Sequence, residues 1–75
     1  MAEDTTPSGA EWVAAFARQL GLDGPDPRVV EALPDLAGVA AHASERTAAP
    51  IACYLVGRAG VAPEDALAIA RATAP

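Results

Sequence analysis

The sequence predicts an all-α fold, a compact bundle of four main helices with an extra short helical turn. Apolar residues recur three or four positions apart in several segments, as they do on one face of an α-helix. No segment alternates apolar and polar residues, and no hairpin turn separates β-branched segments, so no strand is expected. Serine, aspartate, proline and glycine also occur where helices would begin or end. We therefore predict a single helical domain over residues 8–75, preceded by a disordered lead-in over residues 1–7.

The first predicted helix begins at Ser8, because Ser8-Gly9-Ala10-Glu11 matches a capping box. In that motif the serine hydroxyl accepts from the backbone of the glutamate, whose carboxylate accepts from the serine amide. Gly21 suits the left-handed conformation that often ends a helix. The large apolar residues of this helix share one stripe and are expected to anchor the core: Trp12, Val13, Phe16 and Leu20.

The next segment contains two further helix starts. Asp26 and Pro27 suit the N-cap and first position of a helix, and residues 28–33 then form the short turn, which Pro34 stops or kinks. Pro34 and Asp35 repeat the pattern and open the second long helix. The stripe expected to face the core contains Leu36, Val39, Ala40 and Ala43, and the solvent-exposed side contains His42 and Arg46.

A third helix, capped by Thr47 and ended by Gly60, is apolar on nearly all sides. Pro50 lies in its first turn, where no intrahelical donor is lost. A helix of this kind belongs inside a bundle, so it is predicted to be the central helix. Gly57 is expected to let a neighbouring helix approach closely.

The fourth helix is predicted to begin at Pro63. Glu64 and Asp65 follow in its first turn, where carboxylates interact favourably with the positive end of the helix dipole. The stripe expected to be buried consists of Ala66, Leu67, Ile69, Ala70 and Ala74.

Composition restricts the classes of partner. The basic residues are five dispersed arginines, set against ten carboxylates, for a formal charge of −5. A nucleic-acid-binding domain normally clusters its basic residues against phosphates, so nucleic acid is not expected as a partner. The same acidity opposes attraction to an anionic membrane surface. Alanine supplies much of the apolar content, which predicts a thin core that a second copy or another partner would complete.

The single cysteine, Cys53, has no partner for an internal disulfide, and no group of histidine and cysteine residues has the spacing of metal ligands. The chain begins with acidic residues, and no apolar segment reaches the roughly 20 residues that span a bilayer. We predict a cytoplasmic protein without a metal or cofactor.

His42 and Arg46 are four residues apart, so on one helix they would project from the same face and could hold an anion. Alternatively, both are cations that stabilise the end of a helix dipole. Tyr54 and Arg58, one turn apart on the third helix, are either an interface anchor or a core tyrosine with its hydroxyl at the rim. These four residues are the candidate interaction residues.

No catalytic group is predicted. Cys53 lies in the most apolar segment, which favours a buried thiol over a nucleophile activated by His42. The carboxylates have no neighbours that would push the pKa values of two of them apart, as acid–base catalysis requires. The chain is therefore expected not to be an enzyme.

The order of several short motifs is similar to that of a known family. These motifs are Trp12-Val13, Leu20-Gly21-Leu22, Asp35-Leu36-Ala37, Ala41-His42, Arg46, Ala48-Ala49-Pro50 and Tyr54-Leu55-Val56-Gly57. Through them the chain resembles a small helical actinobacterial domain family of unassigned function, found alone or fused to the molybdenum-cofactor (molybdopterin) guanylyltransferase. The family pattern has a proline after the arginine, whereas here Thr47 follows Arg46.

The resemblance implies a non-catalytic accessory or interaction module associated with biosynthesis of the molybdenum cofactor, the molybdopterin-guanine dinucleotide. Its expected partner is the guanylyltransferase or an apo-molybdoenzyme. Two alternatives remain open. One is a small anion- or nucleotide-binding domain that uses His42, Arg46 and Arg58, and the other is a self-associating structural module whose homodimer completes the core.

Overall fold

The computed structural model describes residues 6–74. These residues form four α-helices and no strand, which confirms the all-α bundle. The helices are α1 (Gly9–Gln19), α2 (Pro27–Ala43), α3 (Ala48–Ala59) and α4 (Pro63–Ala72). Residues 1–5 of the predicted lead-in lie outside the described residues, so the domain boundary at residue 8 stays a prediction.

The predicted short turn over residues 28–33 is not a separate element. It is the first part of α2, which begins after the N-cap Asp26 and continues through Pro34. A proline inside a helix removes one backbone donor and costs about 3 kcal/mol. We attribute the continuation to Leu36, which is only 2% exposed, because its burial just beyond the proline is a gain that only a continuous helix provides.

The C-terminal end of α2 also differs from the prediction. The helix ends at Ala43, and the hydroxyl of its C-cap Ser44 donates to the Ala40 carbonyl at 2.8 Å. Serine can satisfy a helical carbonyl in this way in place of the next backbone donor. Arg46 therefore lies in the turn between α2 and α3. The prediction that Arg46 and His42 share one helix is wrong.

The central helix is α2, which packs against both α3 and α4. The prediction that α3 is central is wrong, since α3 contains no buried residue. Its small residues, such as Ala52, are partly covered, while Tyr54 is 63% exposed. An added Cβ at Gly57 would meet no atom within 4 Å, so this glycine is not a point of close helix approach.

The core is smaller than the sequence predicts. Among the described residues only Ala17, Leu36 and Ala66 are buried. Ala66 belongs to the predicted stripe of α4, but Ile69 of the same stripe is 59% exposed and Ala74 lies beyond the helix. An exposed ion pair joins the beginnings of α2 and α4, with Arg28 Nη1 3.7 Å from Glu64 Oε2. Such a pair contributes little, so the α2–α4 contact depends mainly on apolar packing.

Helix α1 has the predicted ends but not the predicted packing. The Ser8 amide donates to Glu11 Oε1 at 2.8 Å and the Glu11 amide to Ser8 Oγ at 3.1 Å, which confirms the capping box. At its C-terminus Gly21 has φ 78°, and the Leu22 amide donates to the Ala17 carbonyl at 2.8 Å, as in a Schellman motif. The predicted core anchors are instead solvent-exposed, between 42% and 58%: Trp12, Val13, Phe16 and Leu20.

The two N-caps of α1 and α3 provide a matched test. Ser8→Ala removes the hydroxyl that accepts from the Glu11 amide and keeps the backbone amide that donates to the Glu11 carboxylate, so we expect α1 to lose about 1 kcal/mol of helix stability. Thr47 is the N-cap of α3, as predicted, but its side chain makes no capping hydrogen bond, so Thr47→Ala should leave α3 almost unchanged. Backbone carbon chemical shifts of residues 9–19 and 48–59 measure both effects. Equal losses of helicity in the two variants would contradict this assignment of the caps.

Candidate functional site

An open apolar groove lies where α2, α3 and α4 meet. Its volume is about 530 Å³, and we call it the groove. Its floor contains the buried Leu36, and its walls are made mostly of small and branched aliphatic side chains. The lining residues are Leu36, Val39, Ala40, Ala43, Ser44, Ala52, Leu55, Val56, Ala59, Val61, Ala66, Ile69, Ala70 and Thr73.

The groove contains no charged side chain, and its two hydroxyls are already engaged. Ser44 Oγ donates to the Ala40 carbonyl at 2.8 Å, and Thr73 Oγ1 donates to the Ile69 carbonyl at 2.7 Å. The surface offered to a ligand therefore consists almost entirely of methyl and methylene groups. It provides no acid, base or nucleophile, and is suited to binding an apolar side chain from another surface.

A second surface is the outer face of α3. It contains four residues at helical spacing, namely Ile51, Tyr54, Leu55 and Arg58, and all four are exposed. Tyr54 and Arg58, predicted as candidate interaction residues, thus share one helix face. The alternative interpretation of Tyr54 as a core residue is wrong, because 63% of it is open to solvent. Leu55 also lies at the edge of the groove.

His42 and Arg46 are not brought together as predicted. His42 lies in the last turn of α2, and Arg46 lies in the following turn; both are exposed. Arg46 lines a shallow depression with Glu45 and Thr47, to which His42 does not contribute. The single-helix geometry that would have let the two cations hold one anion is therefore absent.

The exposed stripe of α1 forms a third surface, which we call the ridge and define as Trp12, Val13, Phe16 and Leu20. The rings of Trp12 and Phe16 are stacked, with their centroids 5.0 Å apart and an angle of 23° between their planes. The sequence identified this stripe correctly but assigned it to the core of its own chain. Periodicity shows which residues share a helix face, but not what covers that face.

Neither the thiol of Cys53 nor any group of metal-binding side chains in the described residues forms a further site. Cys53 is a free, half-buried thiol on α3. Within residues 6–74 no group of three or more histidine, cysteine or carboxylate side chains could hold a metal ion. The same residues include no helix with the length and apolar character needed to cross a membrane.

Comparison with known protein families places the chain in one of them. Residues 4–75 match a family described as "Domain of unknown function (DUF6457)", so the match includes all four helices. No curated protein and no solved structure matches the chain.

Proposed function

The chain belongs to the DUF6457 family of domains of unknown function, and we propose that it is a non-catalytic module that binds another protein through the outer face of α3. The observation that carries this proposal is the exposure of Ile51, Tyr54, Leu55 and Arg58 on one helix face.

This face has the composition of a protein-binding surface. Tyrosine and arginine are enriched among the residues that contribute most to protein–protein affinity. Ile51 and Leu55, 61% and 57% exposed, add apolar area beside them. Contiguous exposed apolar patches are uncommon on monomeric proteins unless they bind something. Arg58 supplies a charge that a carboxylate of the partner can pair with, which would fix the orientation of the complex.

The partner we propose is the molybdenum-cofactor guanylyltransferase or an apo-molybdoenzyme, with the complex forming in the cytoplasm. The support for this partner is the resemblance to helical domains found alone or fused to the guanylyltransferase. Covalent fusion raises the effective concentration of two weakly binding modules, so a domain fused in one protein can act as a separate binding partner in another. The free thiol of Cys53 is consistent with a reducing compartment.

Titration calorimetry with the purified guanylyltransferase, and separately with an apo-molybdoenzyme, tests the proposal. We expect binding in the micromolar range and at least a tenfold loss of affinity in the double variant Tyr54→Ala and Arg58→Ala. The matched control is Arg71→Ala, because Arg71 of α4 is, like Arg58 of α3, an exposed arginine in the last turn of a helix. The control should bind normally, and all variants should keep the melting temperature of the parent chain within a few degrees.

Absence of binding heat with both enzymes would contradict the proposal. An equal loss in Arg71→Ala would show that net charge and not the α3 face determines binding. If His42→Ala and Arg46→Ala weakened binding while the α3 variant did not, the binding surface would be the end of α2. The anion- or nucleotide-binding alternative stays a prediction, and the separation of His42 from Arg46 onto different elements does not favour it.

A further inference from the structure

We propose that two copies of this chain form a dimer in which the ridge of each copy occupies the groove of the other. This goes beyond the proposed function, because the partner enzyme is assigned to the outer face of α3, which shares only Leu55 with the groove.

The exposed area is larger than a monomer of this size requires. The chain exposes 5853 Å², whereas a folded monomer of 7.5 kDa is expected to expose about 4,250 Å², a difference of roughly 1,600 Å². The total includes the six terminal residues outside the described range, so only part of this difference belongs to residues 6–74. A specific dimer of standard size removes about 800 Å² from each partner. The excess is therefore large enough to include one dimer interface.

The ridge and the groove are chemically complementary. The ridge offers aromatic and aliphatic side chains, which are 42% to 58% exposed, and the groove offers aliphatic walls whose hydroxyls are already bonded. Neither surface carries a charge, so the repulsion between two chains of net charge −5 originates away from the interface. A charged peptide would find no counter-charge in the groove, which favours an apolar occupant.

A second copy satisfies both surfaces at once. Every chain has one ridge and one groove, so a two-fold arrangement fills two grooves and covers two ridges without leaving either unpaired. An unrelated apolar peptide would fill the groove and leave the ridge exposed. A second copy of the chain is therefore the occupant of the groove that accounts for both surfaces.

The ridge does not fill the groove of its own chain. No residue of α1 lines the groove, and among the described residues the strong helix–helix contacts are those of α2 with α3 and with α4, so α1 packs at most weakly against the other helices. The end of α1 is fixed by the Schellman motif, in which Gly21 has φ 78° and the Leu22 amide bonds to Ala17. Residues 20–26 then lead to the start of α2. The ridge is thus left free for another molecule.

The single tryptophan provides a direct probe of the interface. Trp12 lies on the ridge and is 55% exposed, so its fluorescence should shift to shorter wavelength when the ridge enters an apolar groove. For the full chain we expect sedimentation equilibrium to show a monomer–dimer equilibrium with a micromolar dissociation constant. The tryptophan shift should follow the same concentration dependence.

Two isoleucine variants separate this proposal from the proposed function. Ile69, 59% exposed, lines the groove, and Ile51, 61% exposed, lies on the outer face of α3. Ile69→Asp should weaken the dimer at least tenfold and leave partner binding intact. Ile51→Asp should do the reverse. Phe16 is 48% exposed on α1, so Phe16→Ser should also weaken the dimer, and it provides a second test if Ile69→Asp fails to fold.

Several outcomes would overturn the dimer. A monomer with a tryptophan shift that does not depend on concentration would mean that α1 folds back into its own groove. A monomer with solvent-like tryptophan emission at all concentrations would leave the groove to a small apolar ligand or to another protein. A dimer that survives Ile69→Asp and Phe16→Ser, or that is lost only in Ile51→Asp, would be formed through a different face.

Discussion

Leu36→Ala is expected to leave most of the protein unfolded at room temperature. Leu36 is the least exposed of the three buried residues, and it lies in the helix that packs against both α3 and α4. Truncation of a buried leucine costs about 2–5 kcal/mol, because apolar contacts are lost and a cavity remains. A single core in a chain of this length rarely supplies more than about 3–5 kcal/mol of stability. Circular dichroism at 222 nm without denaturant measures the loss of folded protein, and urea unfolding of the parent chain gives the stability with which it is compared.

The matched control for this change is Leu22→Ala. Leu22 is 62% exposed and follows α1, so the same truncation should alter the free energy of unfolding by less than about 0.5 kcal/mol. The backbone bond from its amide to Ala17 is retained in the variant. Similar losses in the two variants would mean that Leu36 is not the main contributor to the core.

Substitution of two glycines of the α3 segment by alanine is expected to change stability in opposite directions. Gly60 ends α3 with φ 68°, a left-handed conformation that costs an L-residue about 1–2 kcal/mol, so Gly60→Ala should destabilise the domain by about that amount. Gly57 lies inside the helix, and a Cβ added there meets no atom within 4 Å. Gly57→Ala should therefore stabilise the domain by about 0.5–1 kcal/mol.

Urea unfolding of both glycine variants, each compared with the parent chain, checks the sign of each change. Both substitutions add one methyl group and differ only in the backbone conformation of the site. Destabilisation by Gly57→Ala would indicate a close neighbour at that position, as the sequence had suggested. An unchanged stability in Gly60→Ala would indicate that the end of α3 does not need the left-handed conformation.

The sequence predicted the local features of the fold well. The capping box at Ser8, the N-cap Asp26 with Pro27, and the left-handed Gly60 are all present. Each of these signals acts within a few residues, so the chain alone determines it. Pro34 is the exception, because the interruption it predicts locally is outweighed by burial of Leu36 against other helices.

The non-local features could not be derived from periodicity. An apolar stripe identifies a helix face that avoids water, but the face can be covered by the same chain or by another molecule. For this reason α3 was predicted to be central and the Trp12 stripe to be buried, whereas both are exposed. The low content of large apolar residues was the available signal that the core would remain incomplete.

The candidate site was predicted in part. Tyr54 and Arg58 do share one exposed face, because the i, i+4 relation holds wherever the helix is continuous. The same relation failed for His42 and Arg46, since the helix ends between them at Ala43. The groove was missed altogether. It is formed by three helices whose relative positions no single stripe specifies.

The small core also determines how the single chain responds to temperature. The heat-capacity change on unfolding scales with the apolar area that becomes exposed, and in this chain much of that area is already in contact with solvent. For the monomer, the free energy of unfolding therefore changes little with temperature. The enthalpy of unfolding is small both above and below the temperature of maximum stability. A strongly curved dependence of the free energy of unfolding on temperature is typical of proteins with larger cores. If another surface covered the exposed helix faces, the stability curve of this domain would become more strongly curved.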